Sequence, residues 1–107
     1  MKDNNTTLPS TEQIKEQILT SDKPTLVDFY ATWCGPCRVQ HSILKYFMAD
    51  HGDDINLVQI NIDGNDELAN YFNVKSVPTI LYVRDGNILA RKIGLQGEES
   101  LLKMIRS

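Results

Sequence analysis

The stretch TLVDFYA, residues 25 to 31, narrows the folds open to this chain more than any other feature. It is an almost unbroken run of apolar and β-branched residues, the pattern of a strand covered on both faces, as in a parallel sheet. A central strand is expected there. Helix and strand patterns alternate around it. Ser10 with Gln13 three residues later has capping-box spacing, and Ile14, Ile18 and Leu19 form an apolar stripe to about Thr20, predicting a first amphipathic helix. Residues 38 to 50 carry Val39, Ile43, Leu44, Phe47 and Met48 at helical spacing, with Gly52 as the stop. INLVQINID, 55 to 63, reads as a strand, and DELANYF, 66 to 72, as a short helix closed by Asn73. TILYV, 79 to 83, and ILARKI, 88 to 93, flank the hairpin signal Asp85-Gly86. A last helix runs from about Glu98 to Ile105 with Leu101, Leu102 and Ile105 inward.

The order is therefore (β)αβαβαββα, with residues 1 to 9 a polar N-terminal arm or a short edge strand. Strands that alternate with helices and finish in a hairpin predict an α/β fold. Its centre is a mixed β-sheet of four to five strands, flanked by four helices on both faces. At 107 residues the chain fits one domain, 1–107, large enough to bury roughly 65% of its unfolded surface without staples. A net charge of −3 offers no basic face, so nucleic acid is not an expected partner. The opening MKDNNTTLPS has no apolar core, and no stretch reaches the ~18 apolar residues of a membrane span. The expectation is a soluble cytoplasmic monomer with no membrane partner.

TWCGPC, 32 to 37, holds both cysteines of the chain. In a reducing compartment such a pair is catalytic or metal-binding rather than structural. It falls where a buried strand hands over to a helix, whose first N–H groups and partial positive charge stabilise an anion. An effect of ~1.4 kcal/mol lowers a cysteine pKa from ~8.5 to ~7.5, raising the thiolate fraction at pH 7 from about 3% to about 24%. Cys34 is thus the expected nucleophile, and Cys37, one turn further in, the thiol that resolves the mixed disulfide. Pro36 fits the first turn of a helix and removes one N–H that could stabilise the Cys34 thiolate, which tilts the pair toward giving electrons away. The alternative for the pair is a metal half-site or two buried small residues. His41 could add a third ligand, but structural zinc sites close with four, so it reads as a solvated or packing histidine. His51, before Gly52, reads as a helix C-terminal residue.

VDFYATWCGPC resembles the active-site strand and motif of the thioredoxin family, and the likeness continues through INID, SVPTI, the DGN hairpin and IGLQG, over about residues 10 to 107. The resemblance implies a thioredoxin fold and reduction of disulfides in client proteins, with no bound cofactor and no metal. It also implies recharging by an NADPH-dependent thioredoxin reductase or a comparable electron donor. Two rival readings stay open: another redox role on the same scaffold, as a dedicated reductase, oxidant or isomerase, and a non-catalytic binding subunit.

The resemblance extends to individual residues. Asp28, an acid inside an apolar run, is expected to carry a raised pKa, a partner, or both. It matches the family's buried acid, which takes the Cys37 proton directly or through water; otherwise it is a strand-end polar residue. The family often places a lysine beside that acid, and Gln59 stands at the matching position. Trp33, Gly35, Pro36, Val77, Pro78 and Gly94 are the implied substrate-binding residues. Trp33 shields the thiolate and offers a flat surface, or is only a hydrophobic anchor. The Val77-Pro78 bond is expected to be cis, turning the Val77 backbone toward the cysteines to pair with an extended segment. Gly94 borders the same groove or simply ends a strand. Ser42 replaces a helix-kinking proline, so a straighter helix is expected.

Overall fold

The computed structural model describes residues 10–107. The expected arm or edge strand over residues 1 to 9 lies outside the described residues. Ser10 caps α1 (Thr11–Leu19) with the reciprocal capping box: Gln13 N–H donates to the Ser10 hydroxyl, and Ser10 N–H donates to the Gln13 side chain at 2.8 Å. β1 (Thr25–Tyr30) follows, then α2 (Gly35–His51), a 3-10 turn at Gly52–Asp54 and β2 (Asn56–Asn61). The chain continues through α3 (Asp66–Tyr71), β3 (Thr79–Arg84), β4 (Asn87–Ile93) and α4 (Glu98–Ile105).

Among the described residues the strands form one four-stranded sheet in the order β2-β1-β3-β4. β1 runs parallel to β2, with Asp28 opposite Gln59, and antiparallel to β3, with Asp28 opposite Ile80. The sheet is therefore mixed, as the sequence pattern predicts. Alternation along β1 divides the core. Val27 and Phe29 join Leu81 and Val83 of β3, Ile18 of α1, and Leu68 and Phe72 at α3, on one face. Leu26 joins Ile80 and Tyr82 of β3, Leu44 and Phe47 of α2, and Leu101 and Met104 of α4, on the other.

Some helical assignments shift. α2 starts three residues earlier than expected, because Pro36 is accommodated in its first turn. Its buried face is Cys37, Gln40, Leu44 and Phe47. Val39 is exposed, since at 3.6 residues per turn it sits about 120° from the middle of that face. In α4, Leu101 and Met104 are the buried anchors, while Leu102 and Ile105 are half-buried at the margin. With Ser42 in place, α2 runs as one uninterrupted helix of 17 residues. The β3–β4 turn matches its residues: Asp85 and Gly86 adopt φ of 53° and 78°, the pair of left-handed conformations that a two-residue hairpin requires. No helix among the described residues is long and apolar enough to cross a membrane.

Leu44 is fully buried and holds the middle of α2 against the sheet. Leu44→Ala should lower stability by about 2–5 kcal/mol, read as a lower urea midpoint with the slope unchanged. A loss below about 1 kcal/mol would show that α2 is positioned by other contacts.

Candidate active site

The junction from β1 to α2 places the sulfurs. Cys34 is the N-cap of α2 with extended backbone (φ −92°, ψ 111°), and its Sγ accepts the Cys37 backbone N–H at 3.2 Å. Gly35, Pro36 and Cys37 are the first three helical residues, so proline removes the second-position donor and leaves the third to reach the sulfur. Cys34 and Cys37 are joined as a disulfide, their Cα atoms 5.3 Å apart. Both are buried in this form, Cys34 at 6% exposure and Cys37 at 1%, so Cys34 is the more accessible of the two sulfurs.

The predicted surface residues gather around this pair. Gly35 and Pro36 are exposed on its rim. Trp33 is 67% exposed, and its indole Nε1 donates to Asp63 Oδ2 at 3.0 Å, which lays the ring down toward the loop after β2. The sequence reading assigned nothing to Asp63; its signal was an acid just past the end of β2, the strand running parallel to β1. The Val77-Pro78 bond is cis, and Val77 packs against the cysteine pair. Gly94, at φ 92°, donates its N–H to the Pro78 carbonyl at 2.8 Å. Val77, Pro78 and Gly94 therefore meet beside the disulfide, with Pro78 itself buried. Gln40 is a second residue missed from sequence. Fully buried, it donates to the Gln96 carbonyl at 2.9 Å and accepts the Gln96 N–H at 2.7 Å, tying the Gly94 loop to α2.

Asp28 lies on the α2 face of β1 with no exposure. Its Oδ2 accepts a hydrogen bond from Gln59 Nε2 at 3.2 Å, the neighbour the parallel register supplies. His41 Nε2 lies 3.2 Å from the same oxygen, within ion-pair distance but out of hydrogen-bond alignment. Burial pushes the Asp28 carboxyl above its ordinary range; the Gln59 hydrogen bond and the His41 imidazole oppose that shift. The expectation that His41 is merely solvated or packing is thus incomplete, since it reaches the buried acid. Ligand-type side chains that could hold a metal gather elsewhere, at Asp50, His51 and Glu98 near the far end of α2, where the two acids are exposed.

A dithiol–disulfide pair at the N-terminus of a helix, fed by a buried strand and bordered by an apolar rim, defines a thiol-disulfide oxidoreductase on an α/β mixed sheet. The model of the thioredoxin family matches residues 5–107, and the chain belongs to that family. It is 37% identical to a thioredoxin of Alicyclobacillus acidocaldarius over 95 residues, 89% of this chain and 90% of the relative. It is 36% identical over 86 residues to a bifunctional thioredoxin reductase/thioredoxin of Mycobacterium leprae, covering 80% of this chain and 19% of that one. Among solved structures, chloroplastic thioredoxin z superposes with a TM-score of 0.79 at 28% identity, over 92% of this chain and 88% of that chain. The protein is a protein-disulfide reductase, whose partners in general are disulfide-bearing clients and a reductase that supplies electrons.

The upward shift at Asp28 has a stability consequence of definite sign. A raised folded-state pKa means that folding binds protons here, so the site costs nothing below the unfolded pKa. The cost grows as pH climbs toward the folded pKa and is complete beyond it. Asp28→Asn should therefore be more stable than the parent, by a margin larger at pH 8 than at pH 5 in urea unfolding. A margin that shrinks or reverses at pH 8 would mean the carboxylate is stabilised in the fold.

Proposed function

We propose that Cys34 attacks the client disulfide, Cys37 resolves the resulting mixed disulfide, and Asp28 takes the Cys37 proton. The observation that carries this division is the Cys34 sulfur at the N-cap of α2, accepting the Cys37 N–H. That bond and the helix dipole favour sulfur as an anion, the form that attacks. Cys37 is deeper and lies one turn along, within bonding reach of Cys34. Asp28 is buried on the face of β1 that α2 covers, and its raised pKa suits a group that must accept a proton near neutral pH.

The client binds as an extended segment over the rim made by Trp33, Gly35, Pro36, Val77, Pro78 and Gly94. Supporting this are the exposed indole held by Asp63 and the meeting of Val77 and Gly94 beside the disulfide. Electrons arrive from an NADPH-dependent thioredoxin reductase or a comparable donor; the fusion of both activities in the Mycobacterium leprae relative supports that pairing. The same reading takes residues 1–107 as one domain acting as a cytoplasmic monomer. A family match over 5–107 and a cysteine pair that works only where it can be re-reduced support it.

Insulin reduction with dithiothreitol as donor tests the roles. Cys34→Ser should abolish it, and retained activity would reject Cys34 as nucleophile. Cys37→Ser should accumulate covalent client adducts on Cys34, identifiable by mass spectrometry; adducts trapped instead by Cys34→Ser would reverse the assignment. Asp28→Asn should slow turnover by about 10- to 10³-fold with Cys34 alkylation unchanged, and a parent rate would remove Asp28 from the mechanism.

A further inference from the structure

One turn beyond Cys37, at the i+4 position of the same helix, stands His41, which no step above employs. Its ring packs edge-on against Tyr30, centroids 4.5 Å apart, which sets Nε2 3.2 Å from Asp28 Oδ2. His41 Nε2 and Asp28 Oδ1 are both buried atoms without a hydrogen-bond partner among the described residues. Buried polar atoms are nearly always paired, so two unpaired ones on side chains in contact mark a place where a proton or a rotated ring completes the pairing. The rest of the imidazole is not sealed in. The side chain is 36% exposed, and it lines a surface cavity of about 310 Å³ with Cys37, Arg38, Tyr30, Ala31 and Thr32.

We propose that His41 is a positioning residue of the resolving step, aligning the Asp28 carboxyl and passing on to solvent the proton that Asp28 receives from Cys37. The inference rests on the proposed role of Asp28. A carboxyl this deeply buried needs a route by which its proton leaves, or it stays neutral after one turnover. Gln59 can hold the carboxylate in place but cannot accept a proton, whereas an imidazole can accept one on one edge and release one near neutral pH.

The step balances. Cys37 sulfur attacks Cys34 sulfur as its proton moves to the Asp28 carboxylate; the Cys34–Cys37 bond forms and the Cys34–client bond breaks. The electron pair departs on the client sulfur, which takes a proton from water. The protein dithiol is oxidised and the client disulfide reduced. The proton on Asp28 then transfers to His41 Nε2, and one leaves to water on the cavity side. The titratable or charged groups facing the imidazole are Asp28 and Tyr30 on β1 and Cys37 and Arg38 on α2, with uncharged Gln59 beyond the carboxylate on β2.

The test is single-turnover reduction of a disulfide-linked fluorescent peptide between pH 5.5 and 8.5. It compares the parent, His41→Gln, Asp28→Asn and the double variant. Glutamine keeps an amide nitrogen near Nε2 but neither takes up nor releases a proton between pH 5.5 and 8.5. His41→Gln should slow resolution by about 3- to 30-fold and flatten its pH profile, with Cys34 alkylation unchanged; it should add nothing to Asp28→Asn. Parent rates and profile in His41→Gln, or equal slowing by it in both backgrounds, would overturn the proposal. A parent rate in Asp28→Asn would overturn the acceptor role as well, whereas a slowed Asp28→Asn beside an unaffected His41→Gln removes His41 alone. A second measurement requires no variant. In NMR of the reduced parent, the Asp28 carboxyl carbon and the His41 ring nitrogens should share a titration step, and two independent titrations would count against the relay.

Discussion

Covering β1 on both faces is the constraint from which the rest of the molecule follows. Its odd-numbered residues Val27 and Phe29 demand α1 and α3, and its even-numbered Leu26 demands α2 and α4. Once α2 is pulled onto the even face by Leu44 and Phe47, its first turn is delivered to the end of β1, and the two sulfurs are delivered with it. The same alternation puts Asp28 on the face that α2 covers, so one packing decision brings the acid and the thiols to one side of the sheet.

Electrostatics and packing pull against each other at this place. Burying a carboxylate without a cation bonded to it is unfavourable, and one amide hydrogen bond from Gln59 offsets only part of that. At the N-cap the balance runs the other way: the helix terminus has a donor to satisfy, and a sulfur anion satisfies it. The site thus holds two opposite tendencies side by side: the Cys34 sulfur gains by losing its proton, and the buried Asp28 carboxyl gains by keeping one.

Much of this was legible in the sequence, and the reasons differ by element. TLVDFYA announced a doubly covered strand because no solvent-facing alternation interrupts it. Ser10 and Gln13 announced α1 because caps are local chemistry. The placement of Cys34 and Cys37 was legible because it depends on a helix terminus that the pattern itself places. Met104 was overlooked, and Val39 placed inward, because an apolar residue at the margin of a helical stripe is assigned by neighbours on other elements. Gln40, His41 and Asp63 were illegible for a related reason. Each gains its role from a partner 13 to 56 positions away, at Gln96, Asp28 and Trp33, and no local rule pairs polar residues over such separations. Gln59 escaped that limit only because the family resemblance supplied its neighbour.

The Gln40 side chain behaves toward Gln96 as a peptide group behaves toward the next strand, giving and receiving one hydrogen bond each. It is a single rung of ladder between a helix and a loop. Because Gln40 sits on α2, whose first turn carries the cysteine pair, that rung holds the Gly94 loop at a set spacing from the sulfurs. If clients bind over the proposed rim, that spacing acts as a gauge of fixed width, and the adjustment needed for a fit falls on the client segment. On the proposed client rim, discrimination among clients turns on the pliancy of the chain around their own disulfides: a bond in a loop that can straighten passes the gauge, and one locked between packed elements does not.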